Sequence, residues 1–180
     1  FRQTGNRAPV LQTRAGVLPA SIAPDGLVTV DMGAPRLGWQ DVPLAQAHDT
    51  LRLPLLGAPA AASMGNPHAT FFVSDFSGLE QGYALEHNPI FPERANIGFE
   101  KIEGQNRMGL KVHERGAGVT EACGSGACAS VVNAVRRGLV ERVCEVELDG
   151  GQLRIEWSAQ TNHVLMTGPA TLSFEGTVAL

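Results

Sequence analysis

No stretch of the sequence approaches eighteen consecutive apolar residues, which excludes a helical membrane span. Blocks of like charge are missing too. Fourteen Lys+Arg stand against eighteen Asp+Glu, a formal charge of −4, so the basic footprint of a nucleic-acid binder is absent. Cysteine is scarce, and Cys123, Cys128 and Cys144 make an odd number. That argues against a secreted disulfide framework and for the reduced thiols of a cytoplasmic protein. There is no Cys-x-x-Cys pair, and His48, His68, His87, His113 and His163 show no ligand spacing, so no metal site is expected. What is present is ordinary for a folded chain: 180 residues, 43% hydrophobic and 18% charged, ample for a core and far from the disordered range. The chain opens Phe1-Arg2-Gln3, with neither an initiator Met nor a secretory pattern, and is expected to be processed or part of something longer.

Alternation of apolar and polar residues around Asp25-Gly26 predicts a hairpin between Val10 and Met32. Residues 33–65 hold Pro35, Pro43, Pro54 and Pro59 and are expected to be loops with short edge strands. The apolar run from Ala69 to Ser74 has the character of a buried central strand, and Ser77 is placed to cap a short helix over 79–85. A second hairpin is expected for Ile97–Glu103 and Arg107–Glu114. Ala127, Cys128, Val131, Val132 and Val135 recur at helical spacing before Gly138. Further strands are expected at Val143–Leu148, Gln152–Trp157 and from Ala170 to Phe174 onward. Many strands and one well-marked helix make the class α+β, the helix buried against a curved sheet.

The chemistry concentrates in Glu114-Arg115-Gly116-Ala117-Gly118-Val119-Thr120-Glu121-Ala122-Cys123-Gly124-Ser125-Gly126-Ala127-Cys128. A strand ends at Glu114, a glycine-rich turn follows, and Cys123 arrives just before the helix. The amides of Gly124, Ser125 and Gly126 then fall among the unpaired donors of a helix N-terminus. Such donors can cradle a carboxylate or phosphate, and a thiol beside them has its thiolate favoured. Arg115 is suited to clamp a carboxylate. The segment is neither a Walker phosphate loop nor a dinucleotide fingerprint, since it lacks Gly-Lys-Ser/Thr and the third glycine. Two more clusters stand out. Asn66-Pro67-His68 offers an amide and an imidazole, and Phe91-Pro92-Glu93-Arg94-Ala95-Asn96 ends in an Asn that opens a strand. Each of the three alone is also what a plain turn, a hydrogen-bonded core histidine or a turn-capping Asn would produce.

Together, Asn-Pro-His at 66–68, Pro-Glu-Arg-x-Asn at 92–96 and the long motif at 114–128 resemble the diaminopimelate epimerase family. The resemblance runs from about Thr13-Arg14-Ala15-Gly16 to Phe174-Glu175-Gly176. It implies a strongly curved, mixed, mostly antiparallel, barrel-like sheet wrapped around a central helix, in each of two similar domains with the substrate between them. It also implies a cytoplasmic isomerase of lysine and cell-wall precursor synthesis that uses no cofactor and converts LL- to meso-diaminopimelate with two cysteines. One thiolate removes the α-proton and the opposite thiol returns one to the other face. By the resemblance Cys123 is the cysteine of the C-terminal domain, with Glu114 and His68 supporting proton transfer. Asn66, Asn96, Glu114, Arg115, Gly124 and Ser125 map onto substrate-holding positions.

The other family cysteine lies in a Cys-Gly-Asn-Gly loop upstream of the Thr-Arg-Ala-Gly strand, and no such loop occurs here. Cys128 is five residues from Cys123 on the same element and approaches from the same side, so it does not substitute; it and Cys144 are expected in the core. The resemblance therefore divides the chain into residues 1–31, remnant strands of the N-terminal domain; 32–168, the C-terminal epimerase domain; and 169–180, a terminal strand returning towards the missing domain. Alone, the chain is expected to be inactive. Strands without partners invite a homodimer or disorder at both ends. Other readings are a proline racemase-like or phenazine-biosynthesis-like isomerase of the same fold, a catalytically silent ligand-binding module, and a cysteine hydrolase built on Cys123 and His68.

Overall fold

Antiparallel pairing accounts for most of the regular structure in a computed structural model that describes residues 5–13 and 16–177. In order the elements are β1 (Val10–Thr13), β2 (Gly16–Ile22), β3 (Val28–Asp31), β4 (Ala60–Ser63), β5 (Pro67–Phe72), a 3-10 turn (Leu79–Gln81) running into α1 (Gly82–Glu86), β6 (Asn96–Gly104), β7 (Arg107–Glu114), β8 (Gly118–Thr120), α2 (Gly124–Arg136), β9 (Val143–Leu148), β10 (Gly151–Trp157) and β11 (Val164–Gly168). The eleven strands form one sheet in the order β1-β2-β3-β11-β10-β9-β7-β6-β5-β4, with β8 attached to β7. All pairs are antiparallel except β5 with β6 and β7 with β9. Each parallel pair needs a crossover: the 3-10 turn and α1 supply the first, α2 the second.

The sheet is open, because its path ends at β1 and β4 without joining them. Its curvature follows from what α2 touches: β4, β5 and β6 on one side, β10 and β11 on the other. Strands so far apart in the order reach one helix only if the sheet curls around it. The helix is made for that position, since Gly126 to Ala134 is buried without interruption and its small residues allow close approach. Its core partners include Met108, Leu110, Val112, Val146, Ile155 and Val164. On the outer face of β5 and β6, a second core gathers Phe71, Ile97 and Phe99 with Val42, Leu53 and Phe91. Alternation along these two strands therefore buries both faces.

The mixed, curved sheet around one helix agrees with the sequence reading, as do both hairpins and α2. Several local expectations are corrected. Ser77 caps nothing; its backbone N–H instead donates to Asp75 Oδ1 at 2.9 Å, and the N-cap of α1 is Gln81. The strand from Ala69 lies next to the sheet's β4 edge rather than at its centre. No regular structure occurs over 169–177, and the last strand is Val164–Gly168. A turn at Asn162, with φ 61° and its Oδ1 accepting from Trp157 Nε1 at 2.9 Å, folds that strand back onto β10. Expectations for Phe1, Arg14, Ala15 and residues 178–180 lie outside the described residues. Val10, Val17, Leu172 and Phe174 are exposed.

Candidate active site

The three motifs meet at the N-terminal end of α2. Cys123 is the N-cap residue, its backbone extended at φ −141° and ψ 101°, so the chain turns from β8 into the helix with the sulfur at the junction. Cys123 as a residue is 6% exposed. Ser125 Oγ lies 3.7 Å from Cys123 Sγ. The same hydroxyl oxygen accepts from Asn66 Nδ2 at 3.2 Å and lies 3.1 Å from His68 Nε2. Ser125 thus stands between His68 and the thiol, which is not the direct pairing a Cys–His hydrolase needs.

Asn66 Oδ1 only accepts, so His68 Nε2, 3.1 Å away, carries the proton. Burial, aided by the Arg115 charge, holds the His68 imidazole down at about 3. His68 is therefore a neutral donor at physiological pH. Asn66 Nδ2 donates to the Ser125 oxygen and the one His68 Nε2–H is shared between that oxygen and Asn66 Oδ1, which leaves the hydroxyl proton to point at the sulfur.

The sequence reading expected the helix end to favour the thiolate; the structure corrects this. Burial pushes the Cys123 thiol up to about 11, and the Glu114 carboxylate adds to the effect, against hydrogen bonds from the Gly126 amide and Ser125. Desolvation of the charge outweighs the dipole and the donors. Cys128 and Cys144, both fully buried, are pushed by burial to about 12 and about 11. Their assignment to the core holds.

Glu114 and Arg115 come from the end of β7 and the turn after it. Glu114 Oε1 accepts from Thr120 Oγ1 at 2.6 Å. The Arg115 backbone N–H donates to Asn96 Oδ1 at 3.0 Å, while Asn96 Nδ2 donates to the Pro67 carbonyl at 2.8 Å. The buried Asn96 therefore ties β5 to the turn. One Arg115 Nη donates to the Glu93 carbonyl at 3.0 Å, so the second motif serves through backbone and Asn96 more than through its own carboxylate. Gly124 begins α2 with Met166 against it: a Cβ there would lie 2.8 Å from Met166 Sδ. Met166 of β11 was absent from the sequence reading, because only the unforeseen hairpin β10–β11 brings it to this end of the helix.

Residues 60–173 match the family described as diaminopimelate epimerase. The chain is 63% identical over 173 residues to the diaminopimelate epimerase of Gluconobacter oxydans, covering 96% of this chain and 66% of the relative. It is 58% identical over 181 residues to that of Acidiphilium cryptum, with 97% and 65% covered. It thus spans slightly less than two thirds of either relative. A probable proline racemase from Agrobacterium radiobacter K84 shares the fold at TM-score 0.63 and 13% identity, over 98% of this chain and 62% of that one. Cys123, Asn66, Asn96, Glu114 and Arg115 all fall inside the matched span, and by that span and those identities the chain belongs to the diaminopimelate epimerase family.

Proposed function

We infer that the chain supplies one side of the active site of a cofactor-independent diaminopimelate epimerase, with Cys123 as the acid–base group on that face of the substrate α-carbon. One arrangement carries the reading: a thiol at the N-cap of a buried helix, receiving the Ser125 hydroxyl of a His68–Asn66–Ser125 chain. A thiol held near 11 rests protonated, so Cys123 begins as the acid that returns a proton to the α-carbon. In the opposite direction its thiolate is the base, beside Glu114, the carboxylate whose charge it feels. Negative charge developing on the substrate is met by the first-turn amides and by Arg115, and His68 orients Asn66 and Ser125 as a neutral donor.

Inversion needs a second proton carrier on the opposite face. Cys128 is sealed in the core behind Cys123, so the partner thiol belongs to the part of the relatives that this chain does not span. Residues 1–31 and the tail from 169 are read as the seam with that part, in keeping with exposed Val10, Val17, Leu172 and Phe174; alone, this surface pairs with a second copy. The cytoplasm is the compartment that suits three free thiols. The decisive experiment follows solvent deuterium into the α-carbon of diaminopimelate, using the full-length protein, its Cys123→Ser variant and the isolated chain. Exchange and inversion are expected with the first only. Parent-like turnover by the isolated chain, or by Cys123→Ser, overturns the two-thiol reading, and preference for a cyclic imino acid across a substrate panel overturns the substrate.

A further inference from the structure

Behind the turn that carries Glu114 and Arg115 lies a surface cleft of about 290 Å³ lined by Tyr83, Glu86, His87, Arg94 and His113, of which only Glu86 and His113 are buried. At its centre Glu86, the last residue of α1, is 2% exposed. Its two carboxylate oxygens are spent on separate tasks. Oε2 accepts from His113 Nε2 at 2.9 Å, and Oε1 accepts the Gly116 backbone N–H at 3.0 Å. Arg94 Nη1 lies 3.6 Å from Oε1. His113 and Gly116 are the residues on either side of the Glu114–Arg115 pair.

The placement is built into the sequence of α1. Gly82, one turn before Glu86, leaves the space that His113 fills: a Cβ there would lie 2.6 Å from His113 Cβ. One helix face thus carries a vacancy for the imidazole and, four residues on, the carboxylate that binds it. On the other side, Gly116 takes φ +77°, a conformation costly for other residues, and this aims its N–H away from the strand. Asn96 holds the intervening Arg115 N–H. The turn is therefore fastened at His113, Arg115 and Gly116, two of these three positions by Glu86.

We propose that Glu86 is a positioning residue for Arg115 and Glu114: its carboxylate brackets their turn and sets where the guanidinium meets the substrate carboxylate. The proposal rests on the substrate-holding reading of Arg115. The electrostatic reach of the turn fits this, since the Arg115 charge is felt at His68 and the Glu114 charge at Cys123. Glu86 itself touches neither substrate nor thiol.

The test compares Glu86→Ala, Glu86→Gln and wild type in the full-length protein, by diaminopimelate kinetics and by backbone amide exchange. Glu86→Ala is expected to lower kcat/KM by about 100-fold, mainly through KM, because misplacing a clamp by about 1 Å has that effect. Gln keeps an acceptor for the Gly116 N–H and should restore most of the loss. Gly116 exchange should quicken in Ala and stay slow in Gln, while amides of α2 remain protected in both. Unchanged KM and Gly116 protection in Glu86→Ala overturn the proposal, as does loss spread evenly through α2 with no rescue by Gln, which marks a merely structural residue. If wild type fails to epimerise diaminopimelate, the functional reading falls, while the exchange data still decide whether Glu86 brackets the turn.

Discussion

Cys123, Ser125, His68 and Asn66 form a polar cluster that reaches the surface at the start of α2; two turns further along the same helix, Ser130 and Asn133 form another with Glu100 and Thr70, wholly inside. In the inner cluster, Ser130 Oγ donates to Glu100 Oε1, Asn133 Nδ2 donates to Thr70 Oγ1 at 2.9 Å, and Arg136 Nη1 donates to Asn133 Oδ1 at 2.9 Å. Those bonds fix the helix against β5 and β6, and only Glu100 Oε2 lacks a partner. The outer cluster instead directs its donors towards a single sulfur. Side chains of the same kinds lock a helix in one place and prepare a proton carrier in the other; what differs is that the outer chain ends on a thiol at the helix N-cap.

Exchanging the sulfurs breaks this contrast most sharply. Cys123→Ser should cut diaminopimelate turnover of the full-length protein by about 10³-fold with little change in unfolding temperature. Cys128→Ser should do the reverse, keeping turnover and losing about 1–3 kcal/mol by burying a hydroxyl among hydrocarbon, measured by denaturant titration. Of intermediate size is Asn133→Ala, which strips partners from Thr70 and Arg136 together. It should cost about 1–3 kcal/mol of stability while leaving the rate of Cys123 alkylation unaltered; faster alkylation would show that the two clusters are coupled.

The smallest effect is a matter of pH. Burial raises the Glu100 carboxyl well above its ordinary 4.5, so the folded state holds a proton that the unfolded chain releases. Stability from this group is present below about 4.5 and is lost as pH rises towards the folded value. Glu100→Gln cannot ionise, so its unfolding temperature should gain on wild type above pH 4.5 and run parallel below it. His68 acts with the opposite sign. Its value of about 3 against an ordinary 6.5 means stability lost as pH falls from 6.5 towards 3, a slope present in both proteins and removed by taking their difference. Parallel curves above 4.5 would mean that Glu100 titrates normally.

Much of this was legible in the sequence because it rests on local pattern. The alternation around Asp25-Gly26 and 104–106 marks the two hairpins, and Ala127, Cys128, Val131 and Val132 mark the helix. The three motifs that resemble one family contain Asn66, His68, Glu114 and Ser125, whereas Met166, packed on Gly124, lies outside them. Other features were hidden because neighbours distant in the chain decide them. The parallel pairing of β5 with β6 and of β7 with β9 depends on where each crossover lays the following strand, which the local pattern does not say. The strand at Val164–Gly168 depends on Asn162 adopting a positive φ beside Trp157. Glu86, in a short helix of unremarkable composition, acquires its partners only when β7 passes behind it.

Residue identity by itself determined which side chains are available for proton transfer and where α2 and the two expected hairpins lie, because those follow from covalent chemistry and hydrophobic period. The protonation states needed the tertiary structure. Cys123 stands at a helix end that alone would favour its anion, yet surrounding protein removes the water that would solvate the charge, and the desolvation wins.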